Sequence, residues 1–450
     1  MPSKPRVAPQ PLIIPQPRQQ LSADGLHRML RAGFEQIAEQ RPMPEISLPD
    51  ALLSAFAMFS LKDPSLLAFD ARRREGNLLR LYGIGQVPSD TQMREILDPV
   101  DPLRLRPVFN DVFRALQRGK ALEQFAFQDD CYLLALDGTG YFSSPTVRCE
   151  SCLEKVNSQT GAVTYSHQLL GAVIVHPDRR EVIPLAPEAI IKQDGATKND
   201  CERNASKRLL RRTRQEHPSL GLIVVEDGLA STAPHIQELL DLNMHFILGA
   251  KPGDHAHLFE QWIAAEDARL AVTLSGELPG GGTWEISFVN GLSLNESQPN
   301  LQVTFLQYGE YNQAAEPRKL FTWVTDLEIT IESAPRLVRG GRARWKIENE
   351  TFNTLKNQGY QFEHNFGHGR QNLSVVFAML MMLAFLVDQT QQLCCPLFRA
   401  TWEKLGSKRA LWDNQRSHFR HIALQTMQQM YELMLTGRGK ELPAPGLDSS

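Results

Sequence analysis

Two short segments limit what this chain can fold into more than any other feature. YLLALDGTG, residues 132–140, and GLIVVEDG, residues 221–228, each run through apolar, strand-forming residues into a carboxylate and then glycine. Unbroken apolar runs of this length describe strands buried on both faces, and the acid-glycine ending marks where the strand stops. A carboxylate held there, Asp137 in the first segment and Asp227 in the second, is rigidly placed and partly desolvated, which suits a metal ligand. The bland alternative is a turn, which Asp-Gly also signals.

The surroundings of these strands define the fold class. HQLLGAVIV (167–175) is a further apolar run, and the helical segments NDCERNASKRLLRRTRQE (199–216) and APHIQELLDLN (233–243) alternate with the runs, so residues 126–264 read as a mixed α/β core. Residues 22–125 show helical apolar spacing, with Asp50 and Ser89 where N-caps belong. From 265 to 332 the chain is strand-like, a β-rich insertion, and helical signals return over 333–436. The proline-rich stretch 1–21 reads as a flexible arm and 437–450 as a disordered tail. The apolar run VVFAMLMMLAFLV, 375–387, is shorter than the ~20 residues a membrane span requires, so it reads as a core helix and no membrane partner is expected.

Charge and cysteine content narrow the function. With 48 Lys and Arg against 51 Asp and Glu, the net charge of -3 gives no global attraction to a polyanion, so a nucleic-acid partner has to be met by local patches. The six cysteines and the lack of a secretory leader favour reduced thiols or metal ligation, and a cytoplasmic location. Cys149-x-x-Cys152 has the spacing of a zinc knuckle; His167, with Cys201 or His176, would complete a tetrahedral site, and free buried thiols are the alternative.

A third carboxylate completes the pattern. GGRARWKIENETFNTLKNQGY, 340–360, reads as a helix after Gly341 in which Arg344, Glu348, Phe352 and Leu355 share a face while Glu350 points away. Taken together, LALDGT, VVEDG and RWKIENETFNTLK following a β-rich stretch resemble the DDE transposases of bacterial insertion sequences. The closest likeness is to the branch with a β insertion before the catalytic Glu and a Tyr-Arg-Glu-Lys signature around it. The resemblance covers roughly 130–370 and implies a ribonuclease H-like catalytic core interrupted by the β insertion, with helical regions at both ends. It implies Asp137, Asp227 and Glu348 as catalytic ligands of Mg²⁺ or Mn²⁺, with Arg344 as the signature Arg. Gly341 stands where the signature Tyr belongs, and Leu355 where the Lys belongs, with Lys356 one residue later.

The residue types suit the implied chemistry. Two divalent ions about 3.5–4 Å apart activate the nucleophile and stabilise the leaving oxygen in phosphodiester cleavage, and hard oxygen ligands are what Mg²⁺ prefers. The chain has neither a GxSxG elbow nor a Walker phosphate loop, so ATP is not implied. Basic stretches at 198–214 and 335–346 would contact a phosphate backbone, the second through Arg339, Arg342, Arg344 and Lys346, joined by Lys356; for the first, a solvated face is the equal alternative. In the helical region, ARRREG (71–76) and PSDTQMREILD (88–98) are candidate contacts to terminal inverted repeats, and packing alone is the alternative. Phe321 and Trp323 share a strand face and are read either as base-stacking platforms or as core. The expected partners are double-stranded DNA, at element ends and target, and a second copy of the chain on that DNA. A related nuclease, an inactive copy, or a non-catalytic zinc-containing DNA-binding protein are the competing readings.

Overall fold

The computed structural model describes residues 18–192 and 201–437. The expected arm and tail lie almost wholly outside these residues, as do the first three residues of the basic stretch 198–214.

Helices α1 (Ala23–Glu35), α2 (Leu48–Ser60), α3 (Leu66–Asp70), α4 (Asn77–Tyr82), α5 (Asp90–Leu97) and α6 (Arg106–Arg118) open the fold. Serine hydroxyls begin four of them: Ser22, Ser47, Ser65 and Ser89 each accept a hydrogen bond from a backbone N–H in the first turn. Ser89 caps α5 as expected, and Gln92 completes a capping box. Asp50 does not cap α2. Ser47 does, and the Asp50 carboxylate instead takes Arg31 at 2.5 Å and the N–H groups of Gly85 and Gln86.

One mixed sheet of twelve strands follows. Its members are β1 (Ala126–Gln128), β2 (Cys131–Ser144), β3 (Leu153–Val156), β4 (Val163–Val175), β5 (Ile183–Pro184), β6 (Glu188–Ile190), β7 (Leu222–Glu226), β8 (His245–Gly249), β9 (Val272–Glu277), β10 (Thr283–Ser293), β11 (Gln302–Tyr311) and β12 (Pro317–Thr325). The order is β3-β4-β2-β7-β8-β12-β11-β10-β9, with β1 on β2 and both β5 and β6 on β4. Strands β2, β7 and β8 are parallel, and the helices α7 (Glu202–Glu216) and α8 (Ala233–Asp241) make the crossovers into β7 and β8. The apolar runs are the centre of this sheet: Leu133–Leu136 and Leu222–Glu226 are buried throughout. The β-rich region forms the antiparallel meander β9–β12, after α9 (Ala256–Asp267), and joins the core edge to edge through pairing of β12 with β8.

The last third is helical: α10 (Ala334–Ala343), a π-helical turn (Ile347–Phe352), α11 (Asn353–Asn357), α12 (Leu373–Cys394), α13 (Pro396–Leu405), α14 (Lys408–His421) and α15 (Met427–Thr436). Helix α10 starts at Ala334, well before Gly341. Gly340 and Gly341 let it lie close on the sheet, because a Cβ at Gly341 would sit 2.6 Å from the Trp323 ring and one at Gly340 2.7 Å from that of Phe127. The apolar run at 375–387 belongs to a helix of 22 residues. By length and composition α12 is therefore long enough to cross a membrane, and all of it is buried inside the fold.

The helices from both ends of the chain pack on one another around α12. Lys62, just past α2, is fully buried and places its ammonium 2.5 Å from Asp388 of α12, above the rings of Tyr360 and Trp412 at 4.3 and 4.2 Å. Burial holds the Lys62 pKa below its ordinary value, against the opposing pull of Asp388. Asp24 caps the start of α15 by accepting from the N–H groups of Met427 and Gln428. Removing one partner of a buried ion pair strands the other charge, at a cost of about 3–5 kcal/mol. Asp388→Ala is expected to lose that much in denaturant unfolding. The double substitution Lys62→Met, Asp388→Leu is expected to recover most of it.

Candidate active site

The strand pairing decides which carboxylates meet. In the parallel ladder, Ala135 of β2 lies opposite Val225 of β7, so two residues further along Asp137 and Asp227 stand level at the carboxyl ends of neighbouring strands. This is the edge at which open α/β sheets present their ligand-binding crevice. Asp137 Oδ1 accepts from the Gly138 N–H at 2.9 Å, and Asp227 Oδ1 from the Leu229 N–H at 3.0 Å, which fixes both side chains on their turns.

A fourth acid, not anticipated from the sequence, joins them. Gly138 lets Glu202, at the start of α7, rest on the backbone of β2, since a Cβ at position 138 would lie 2.7 Å from its carboxylate. Asp137, Glu202, Glu226 and Asp227 all line one cleft of about 620 Å³. Glu226 is buried and committed to His235 (2.6 Å) and Ser206 (3.2 Å), leaving the other three acids toward the opening. Burial raises Asp137 above the ordinary carboxylate range and the Asp227 charge adds to it, despite the opposing Arg344. Glu202 is raised as well, by crowding of its carboxylate end and by the charges of Asp137, Asp227 and Glu226, although the residue as a whole is exposed. His235 moves upward because the Glu226 carboxylate outweighs the effect of burial.

Glu348 comes from the π turn, and the i→i+5 bond from the Asn353 N–H to the Glu348 carbonyl replaces the expected α-helical ladder. Such turns recur at functional sites. Ile347 and Phe352 of this turn pack on Gly171, the cross-strand partner of Asp137, so the turn lies over the strand end that carries Asp137. The Glu348 carboxylate is exposed, lines neither cleft described here, and has no ion pair among the described residues. Arg344, four residues before Glu348, donates to Asp137 Oδ2 at 3.0 Å. Glu350 pairs with Arg180 at 3.3 Å.

A second cleft of about 320 Å³ shares Glu226 and Asp227 with the first and runs past Phe321, Trp323, Arg344 and Trp345. Trp323 is core, only 6% exposed beneath Gly341, while Phe321 is half-buried and stacked on it. The exposed aromatic here is Trp345, at 48%, with the Arg344 guanidinium 5.5 Å from its ring; its place inside RWKIE was the available signal. The other basic candidates all have intramolecular partners. Arg339 pairs with Asp178, Arg342 with Glu310 at 3.4 Å, and Lys356 with Glu363 at 2.9 Å, while Lys346 donates to the Arg179 carbonyl and is lowered by burial. In ARRREG, Arg72 is buried against Asp63 and Glu75, and only its neighbours face solvent.

Among the described residues, the one group of three or more metal-ligating side chains whose atoms all lie within 4.8 Å of one another is Cys149, Cys152, His167 and His368. This Cys₂His₂ cluster could hold a metal such as zinc. Two of the candidate fourth ligands fall elsewhere. Cys201 is exposed at the start of α7 and lines the acidic cleft, and His176 lies just past the far end of β4, nine residues from His167 and roughly 30 Å away at the strand rise. No family model matches the chain, and no curated protein matches it.

Glu202 supplies a pH test of the cleft. Its pKa is raised in the folded chain above the ordinary 4.5, so the stability carried by its proton is complete below that value and lost as pH rises through the folded pKa. Gln imitates the protonated acid. In metal-free buffer, Glu202→Gln should match the parent in Tm at low pH and become increasingly the more stable as pH rises above about 4.5.

Proposed function

We propose that this chain is a DNA transposase of the DDE type, which cleaves the ends of an insertion element and joins them to target DNA, with Asp137, Asp227 and Glu348 as its acidic triad. The observation that carries the reading is the register that levels Asp137 with Asp227 while the turn bearing Glu348 packs on the partner of Asp137. The strand order supports a ribonuclease H-like core. Three antiparallel layers of strand, with β3, β5 and β6 outermost, β4 next and β2 innermost, continue into the parallel β7 and β8, with α7 and α8 as crossovers and β9–β12 inserted before the third acid.

The donor set fits hard divalent cations. Asp137, Asp227 and Glu202 offer only carboxylate oxygens toward a shared cleft, and the raised acids there are relieved by positive charge. When bound, a pair of Mg²⁺ or Mn²⁺ ions polarises the scissile phosphate and activates the attacking water or 3′-hydroxyl. The chain's own residues prepare for this. Arg344 neutralises Asp137 meanwhile, and Glu348 has no ion pair among the described residues that cation binding would have to break. The surface pairs of Arg339, Arg342 and Lys356 are worth only ~0–1 kcal/mol each, so a phosphate backbone can take over these cations. Trp345, rather than the buried Trp323, is the stacking platform beside the acids, a contact worth ~1–3 kcal/mol per base.

The test is cleavage of a labelled duplex carrying the inverted repeats that flank the gene, with Mg²⁺ or Mn²⁺, alongside binding of the same DNA. Asp137→Asn, Asp227→Asn and Glu348→Gln are each expected to bring cleavage to background while binding survives. Glu350→Gln, which loses only the exposed contact to Arg180, should cleave like the parent. Cutting without joining would favour a nuclease. Binding with no metal-dependent cutting by the parent, or full cutting by Glu348→Gln, would overturn the triad.

A further inference from the structure

The Cys₂His₂ cluster lies apart from the carboxylates and joins three distant parts of the chain. Cys149 and Cys152 come from the turn between β2 and β3, His167 from β4, and His368 from the segment between α11 and α12. We propose that these four residues bind one zinc ion, which clasps the segment after the Glu348 turn onto the β2–β4 hairpin.

Four of the six distances between ligand atoms lie within about 0.4 Å of the edges a zinc ion imposes. With bonds of about 2.3 Å to sulfur and about 2.0–2.1 Å to nitrogen, tetrahedral edges come to about 3.8 Å between sulfurs and about 3.6 Å between sulfur and nitrogen. Here the two Sγ atoms are 3.7 Å apart, Cys149 Sγ and Cys152 Sγ lie 3.3 and 3.5 Å from His167 Nε2, and Cys152 Sγ lies 3.2 Å from His368 Nε2. Two thiolates with two imidazoles suit zinc; a Rieske iron–sulfur centre uses the same ligand types but splits them between two irons, whereas here all four ligand atoms lie within 4.8 Å of one another, around room for a single ion.

The surroundings are built to hold that geometry. His167 is wholly buried, Cys152 and His368 nearly so, and both imidazoles aim Nε2 inward. Their Nδ1 atoms are buried without hydrogen-bond partners, so the rings are oriented by packing instead: Tyr141 stacks on His167 with centroids 5.8 Å apart, and Phe142 lies 4.3 Å from His368. The Cys149 N–H donates to Cys152 Sγ at 3.3 Å, a bond that favours thiolate. Beside the cluster, the Glu150 N–H donates to the Arg370 carbonyl at 3.1 Å, and the Ser151 hydroxyl to that of Gln371 at 3.0 Å. The CxxC turn and the His368 segment are thus already joined by backbone contacts, and the ion would lock them.

The clasp stands independently of the chemistry assigned to the carboxylates. The full chain, purified without chelator and analysed for metal, is expected to carry one zinc, and cobalt loading should give the visible spectrum of a tetrahedral thiolate site. Cys152→Ser and His368→Ala should each lose stoichiometric zinc, whereas Cys201→Ser and Asp137→Asn should keep it, which separates this site from the acidic cleft. Chelation of the parent should lower Tm, and zinc should restore it. Should the ligand variants fail to fold, zinc content and cobalt spectrum of the parent still decide. A parent that holds no stoichiometric zinc and takes up no cobalt, or zinc retained in both Cys152→Ser and His368→Ala, overturns the proposal.

Discussion

Most of this molecule follows from the parallel pairing of β2 with β7. Side chains alternate faces along a strand, so a slip of one residue would exchange the two faces of both apolar runs and turn Asp137 away from the face it shares with Gly171. Four consecutive buried residues in β2 and five in β7 are packed on both faces, so that exchange would press side chains of the wrong shape into a close-packed core. The register therefore holds with the whole weight of the sheet, and Asp137 and Asp227 inherit its precision without spending any interaction of their own on it. Alternation also decides what approaches from either side. Asp137 shares a face with Gly171, on which the π turn packs, while Gly138 opens the opposite face to Glu202.

Electrostatically, the arrangement is unstable by itself. Several carboxylates around one opening repel one another, and the protein tempers this with the Arg344 guanidinium bound to Asp137, while Arg203 and Lys207 line the same cleft as the acids. Arg344 also lies over the Trp345 ring, so the contact that shields Asp137 is tied to the exposed aromatic of the neighbouring cleft. Anything that draws Arg344 away, such as a phosphate, opens Asp137 to a cation at the same moment.

Local patterns made part of this legible from the sequence. The apolar runs, the acid-glycine endings, the N-cap at Ser89 and the CxxC pair depend on neighbours within a few residues. Long-range choices were not legible. Glu202 sits in a charged stretch that reads as a solvated face, and only the missing Cβ at Gly138 admits its carboxylate to the cleft. His368 lies far along the chain from Cys152, with no spacing rule to connect them, so the exposed Cys201 was the wrong fourth ligand. Wheel geometry at Glu348 assumed an α-helix where the chain forms a π turn. The need for glycine at position 341 was equally hidden, because the Trp323 ring that fills the space of a side chain there comes from a separate strand.

The buried pair of Lys62 with Asp388 has a consequence for synthesis. The two residues are 326 positions apart, and the almost wholly apolar α2 beside Lys62 has α12 as a principal packing partner. A ribosome adding about 5–20 residues per second takes roughly 15–65 seconds to cover that separation. Throughout that interval the leading helices have an apolar surface, and Lys62 an ammonium, with no completed site to enter. A chain cut short before α12 never acquires one. Full-length translation is thus written into the packing itself, because an incomplete copy cannot close its core and stays exposed to chaperones and proteases.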